Sequence, residues 1–140
     1  MPKVFRVMKP DPTNINMPKT GSESCCLGVR DNEIDIDGAR TVGPGTNHGM
    51  SVNASLVSIP PTLVPPQYAK QVEGSAGKRS HNVWTVGQGP FKSGPFATSL
   101  QLACSGSDYG VVEPDSRINH SAYRRALADT QPEWKIVEPI

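Results

Sequence analysis

The sequence predicts an α+β fold: a compact, mainly antiparallel β domain with one or two short helices, formed as a single domain over residues 1–140. Three observations predict it. Short runs of alternating apolar and polar residues recur along the chain, the pattern of half-buried strands. The 13 glycines and 14 prolines among 140 residues call for many turns, yet stay short of the share that marks a low-complexity chain. Only one segment, 119–129, has sustained helical periodicity, and Pro132 stops it.

The first strand is Val4-Phe5-Arg6-Val7-Met8. It ends at Lys9-Pro10-Asp11-Pro12, because proline cannot donate to a ladder. Arg6 shares a face with Val4 and Met8. Either its stem covers those apolar neighbours, or its guanidinium meets a ligand or a carboxylate. Residues 10–24 are polar and read as a loop, and Cys25 to Val29 as a short strand. Glu33-Ile34-Asp35-Ile36 alternates strictly before Asp37-Gly38, which predicts a hairpin returning over Ala39 to Val42. Glu33 and Asp35 then lie on its solvent face.

Thr41 to Val52 reads TVGPGTNHGMSV, a glycine-rich turn that delivers His48 and Ser51 to a strand edge. It is not a P-loop, since no Gly-Lys-Ser/Thr precedes a helix, and a strand follows where a dinucleotide fingerprint needs a helix. His48 is a base, a ligand contact or an exposed imidazole. Asn53 to Pro66 holds four prolines among apolar residues, which excludes a regular helix and predicts an apolar loop packed on the core. A short helix over Pro66 to Val72 can follow, with proline in its first turn.

Val83-Trp84-Thr85-Val86 is a strand. Gly-Pro-Phe then occurs twice, ending at Phe91 and Phe96, and predicts a rigid loop with two aromatic tips. These cap the core or wall a ring-bearing ligand. Ser99 to Cys104 and Tyr109 to Glu113 are strands around a turn at 105–108. In the helix, Asn119 or Ser121 caps the start, Tyr123 and Leu127 form the buried stripe, and Arg124 and Arg125 face water. Trp134 to Glu138 closes the chain as a strand.

The formal net charge is +1, and the basic residues are scattered apart from Lys78-Arg79 with His81. A nucleic-acid partner is not expected, because it needs a clustered basic face. Cys25, Cys26 and Cys104 form no Cys-x-x-Cys and read as reduced thiols. No signal-peptide core or membrane-length apolar run is present. The expected place of action is therefore the cytoplasm, of the producing cell or of a target cell, with no membrane partner. The three histidines lack metal-ligand spacing, so no metal is expected. A Gly-x-Ser-x-Gly elbow is also missing, because Gly49-Met50-Ser51-Val52-Asn53 has only its first glycine.

One constellation remains. Arg6 lies on the first strand, Ser51 opens a middle strand and Glu113 ends a late one. This order resembles the Arg-Ser-Glu class of ADP-ribosyltransferase folds. Phe5-Arg6-Val7, Gly49 to Val52 and His81 to Val86 resemble pieces of small bacterial type VI secretion effector toxins with an ADP-ribosyltransferase-like fold. The resemblance implies NAD as substrate and cofactor. It implies Glu113 and Ser51 as catalytic residues, with Arg6, His48, Ser51, Trp84 and Phe91 binding NAD. It also implies a cognate immunity protein or a protein acceptor as partner. Chemically, a strand arginine suits a phosphate, and a carboxylate at the reacting ribose stabilises developing positive charge. Val111-Val112-Glu113 departs from the Glu-x-Glu of arginine-directed members, so arginine is not the implied acceptor. The rival reading is a non-catalytic protein-binding module, an effector accessory or immunity protein with a degenerate cleft. A third is a hydrolase using His48 or His81.

Overall fold

The computed structural model describes all 140 residues. Nine strands and one α-helix form: β1 (Val4–Met8), β2 (Thr41–Val42), β3 (Met50–Asn53), β4 (Asn82–Val86), β5 (Gly94–Ala97), β6 (Leu100–Cys104), β7 (Tyr109–Pro114), β8 (Ile118–Asn119), α1 (His120–Asp129) and β9 (Lys135–Ile136). Seven strands make one sheet in the order β5-β6-β7-β3-β1-β4-β9, and every pairing within it is antiparallel. The α+β, mainly antiparallel architecture is therefore as the alternation predicts.

The alternation of β1, β3, β4, β6 and β7 sorts side chains between two faces. On one face, Val4, Met8, Met50, Val52, Trp84, Leu100, Leu102 and Val112 join the main core. Helix α1 covers that face with Tyr123 and Leu127, both fully buried. Asn119 caps α1 by accepting the Ser121 N–H at 2.8 Å. On the other face, Phe5, Val7 and Val83 meet a second, smaller cluster of Ile59, Val64, Tyr68 and Val72. The proline-rich stretch supplies that cover. Its prolines prevent an α-helix, and it folds as three single 3₁₀ turns, the last over Pro66–Tyr68 in place of the short helix expected there. No helix is long and apolar enough to cross a membrane.

Several elements differ from the sequence expectation. Residues 33–36 form no strand; a 3₁₀ turn occupies Asp31–Glu33. The Asp37-Gly38 turn does form, and Asp37 ties it by accepting from the N–H groups of Ala39 and Thr41. Its return strand β2 pairs instead with β8, Thr41 opposite Asn119 and Val42 opposite Ile118. Glu33 is half-buried and bonded to Arg30, not on a solvent face. Cys25 to Val29 is irregular, because Cys25 takes a left-handed φ of 59° that breaks a strand. The second Gly-Pro-Phe lies in edge strand β5, where Pro95 needs no ladder donor. The final strand is only two residues long.

Candidate functional site

The site originates in a defect of the sheet. β1 pairs with β4 through five residues, and β3 with β7 through four. β1 and β3 share only the pair Phe5 and Asn53, then diverge. The Arg6 guanidinium fills the gap. Its Nη1 donates to the Ser51 carbonyl at 2.8 Å and to Ser51 Oγ at 3.1 Å. Nε and Nη2 donate to the Cys26 carbonyl at 3.2 and 3.0 Å. One side chain thus bonds the β3 carbonyl left by the interrupted ladder and ties the irregular Cys26 segment to the same place. Burial lowers the Arg6 pKa, and Glu33 and Cys25 pull it back up. The group stays protonated, as arginine does in proteins.

A cavity of about 590 Å³ opens beside this brace on the face of Val7, Ser51 and Asn53. That size lies within the range of small-molecule sites. The 59–63 turns, the 76–78 segment, and Ser24, Cys25, Arg30 and Glu33 contribute to its lining. Its charge is mostly positive: Arg6, Lys9, Arg30 and Lys78 face the single carboxylate of Glu33. Arg30 Nε donates to Glu33 Oε1 at 3.2 Å, so these two largely offset each other. His81 closes the corner near Lys9. Burial, then the charges of Lys78 and Lys9, hold its pKa below the ordinary imidazole value. No three His, Cys, Asp or Glu side chains are grouped to hold a metal ion.

Glu113 sits on the same sheet face as Ser51. Ser51 is opposite Val111, so Glu113 is its diagonal neighbour, at a Cα separation of about 7–8 Å. It does not line the cavity. It is 1% exposed, and its carboxylate accepts from the Gly45 N–H at 3.2 Å to each oxygen and from Gln101 Nε2 at 2.6 Å. Gln101 is its cross-strand partner on β6. The Gly-Pro-Gly turn therefore lies over Glu113, with Gly45 and Asn47 in left-handed conformations.

The remaining residues that the resemblance implies stand apart from the cavity. His48 pairs through Nδ1 with Asp35 at 2.8 Å. Both side chains are more than half exposed, so the pair contributes little. Trp84 is fully buried in the main core, and its Nε1 donates to the Met8 carbonyl at 2.9 Å. Phe91 is half-buried against the same core. Of the six residues, Arg6 and Ser51 meet, Glu113 lies one diagonal step away, and the others do not join them. Lys9, Arg30, Glu33 and Lys78 belong to the cavity and were not expected there. Lys9 precedes Pro10 and Lys78 follows Gly77, but nothing local marks Arg30 or Glu33, and the topology alone gathers them. No family model, curated protein or solved structure matches this chain.

Proposed function

We propose that the cavity beside Arg6 binds NAD as substrate, and that the domain is an ADP-ribosyltransferase-like toxin or effector that transfers or hydrolyses the ADP-ribose. The observation that carries this reading is the Arg6–Ser51 brace at the edge of a cationic cavity, with Glu113 diagonal to Ser51 on the same sheet face. A dinucleotide brings two phosphate charges to a cavity whose free charge is positive. A carboxylate near the nicotinamide ribose favours the positive charge that develops as nicotinamide departs. Gln101 orients that carboxylate from the neighbouring strand. Because Gly45 covers it, the Pro44–His48 turn must lift for Glu113 to reach a bound ribose.

The same cover supports the second reading, a non-catalytic protein-binding module, since a carboxylate 1% exposed meets no substrate while the turn stays down. Calorimetric titration with NAD and measurement of nicotinamide release separate the two. The first reading expects NAD binding with turnover, and Glu113→Gln lowers turnover by about 100-fold with little change in affinity. Binding without release, unchanged by Glu113→Gln, supports the second. Growth arrest on expression in bacteria, relieved by Glu113→Gln in a folded protein, would be the cellular counterpart of the first.

A further inference from the structure

Arg6 would be the obvious anion ligand of this cavity, yet its hydrogens are nearly all committed. A guanidinium has five N–H donors. Four are directed to the Cys26 carbonyl, the Ser51 carbonyl and Ser51 Oγ. The side chain's work is to hold two diverging strands together, and little of it is left for a ligand.

The opposite corner differs. His81 is 6% exposed, and its imidazole makes no hydrogen bond within the protein, although it lines the cavity. The ring nitrogens are not sealed from solvent, so the cavity is where a partner can reach them. The register that sets Met8 opposite Asn82 brings His81 beside Lys9, just past the ends of β1 and β4. Lys78 stands on the same side with no ion pair, and its charge and that of Lys9 both act on the His81 ring. Lys9 has only an exposed partner, Glu23, at 3.4 Å, which Lys19 shares. Arg30 is already paired with Glu33. The uncompensated positive charge and the unpartnered ring nitrogens thus occupy one place.

We propose that Lys9, Lys78 and His81 form the seat for the diphosphate of the cavity's ligand, and that Arg6 is a positioning residue that braces the diverging strands beside it. The inference rests on reading the cavity as the site of a phosphate-bearing ligand. The two lysines supply charge without fixed geometry, and the imidazole donates to a phosphate oxygen in either its neutral or its protonated form.

An anion seated there raises the proton affinity of His81, so the complex takes up a proton and binding tightens as pH falls. The charged and titratable groups that share the cavity with the ring are Lys9 from the end of β1, Lys78 from its own segment, Arg6, Cys25, Arg30 and Glu33, and the charges of Lys78 and Lys9 act on it. Only His81 is assigned the proton, so Cys25→Ser serves as the control for the thiol in the same lining.

The test is calorimetric titration of the full chain with ADP-ribose, inorganic pyrophosphate and NAD at about pH 6 and about pH 8. ADP-ribose is the pH probe, because its diphosphate diester keeps its charge over this range. Wild type should bind it several-fold tighter at the lower pH. Lys78→Ala, a surface change that leaves the core untouched, should weaken it about tenfold. His81→Gln, confirmed folded by its circular dichroism, should abolish the pH dependence, and Cys25→Ser should keep it. If ADP-ribose and NAD bind with equal affinity in wild type, Lys78→Ala and His81→Gln, the seat is wrong while the NAD reading stands. If pyrophosphate and ADP-ribose bind with the expected losses but NAD is never consumed, the seat stands and the catalytic reading falls. If none of the three binds, both fall.

Discussion

Gly49 shows how one residue can hold the site's geometry. A Cβ there would lie 2.7 Å from the Val112 carbonyl oxygen and 3.0 Å from the Tyr123 hydroxyl. The first of these is backbone in the sheet and cannot swing aside. Gly45 contrasts with it: a Cβ would meet nothing within 4 Å, but φ is +83°. Gly49→Ala should therefore destabilise the protein by overpacking, about 1–3 kcal/mol. Gly45→Ala should cost about 1 kcal/mol, from backbone conformation alone. Urea midpoints at constant m-value measure both. Equal effects would mean that Gly49 is not sterically confined. Asp37 illustrates a polar role at the same scale. Hydrogen bonds from the Thr41 hydroxyl and N–H hold its carboxyl below the usual range and fix the turn leading into β2.

At the scale of elements, the hydrogen bonds between α1 and the seven-stranded sheet run through a single hydroxyl. Tyr123 Oη donates to the Val112 carbonyl at 2.5 Å and accepts the Met50 N–H at 3.1 Å. It therefore joins the start of β3 to β7 where the Glu113 and Ser51 strands run side by side. Burial raises the Tyr123 pKa well above its ordinary value, so it remains a phenol. Tyr123→Phe leaves the packing in place and strands one buried acceptor and one buried donor. A loss of about 1–3 kcal/mol in chemical denaturation is expected. Leu127→Ala, a cavity change in the same helix, should cost about 2–5 kcal/mol. If Tyr123→Phe proves neutral, the hydroxyl does not anchor the helix. The sheet's edges are closed by different means. β5 carries Pro95 and a register shift, and β9 is two residues long, so neither presents a long free ladder.

For the whole molecule, the pKa shifts predict a stability profile that falls on both sides of neutrality. His81, Asp11, Asp31 and Asp37 all have folded pKa values below their ordinary ones. The unfolded chain then binds more protons, so stability is lost as pH falls. The loss begins below about 6.5 through His81 and continues below about 3.9 through the aspartates. Cys26, Tyr68 and Tyr123 have raised values, mainly through burial. Their contribution is complete below the unfolded pKa and is lost as pH rises above about 8.5 for the thiol and about 10 for the phenols. Denaturant midpoints across pH should trace this profile. His81→Gln should flatten its first acid limb and Asp37→Asn its second. An unchanged acid limb in His81→Gln would mean that the ring is not buried neutral.

The same division explains what could be read before folding. Strands β1, β3, β4, β6 and β7 and helix α1 were legible because periodicity and proline or glycine stops act between near neighbours, and the cap at Asn119 acts over two residues. Elements chosen by distant partners were not. Thr41-Val42 pairs with Ile118-Asn119 and not with its own sequence neighbours, so the local hairpin signal misassigned residues 33–36. The site divides in the same way. Arg6 and Ser51 stood out as polar residues on strands, but the gap that joins them exists only because β1 and β3 diverge after one pair. Lys78 and His81 stood out only as a small basic cluster, with His81 a candidate for hydrolysis, and Lys9 only as a charge before a strand-ending proline. The sequence alone determined the locally encoded elements and the polar residues they present. The tertiary structure decided which charges remain unpaired and where they meet, because burial and Coulomb interaction depend on distance in space and not along the chain.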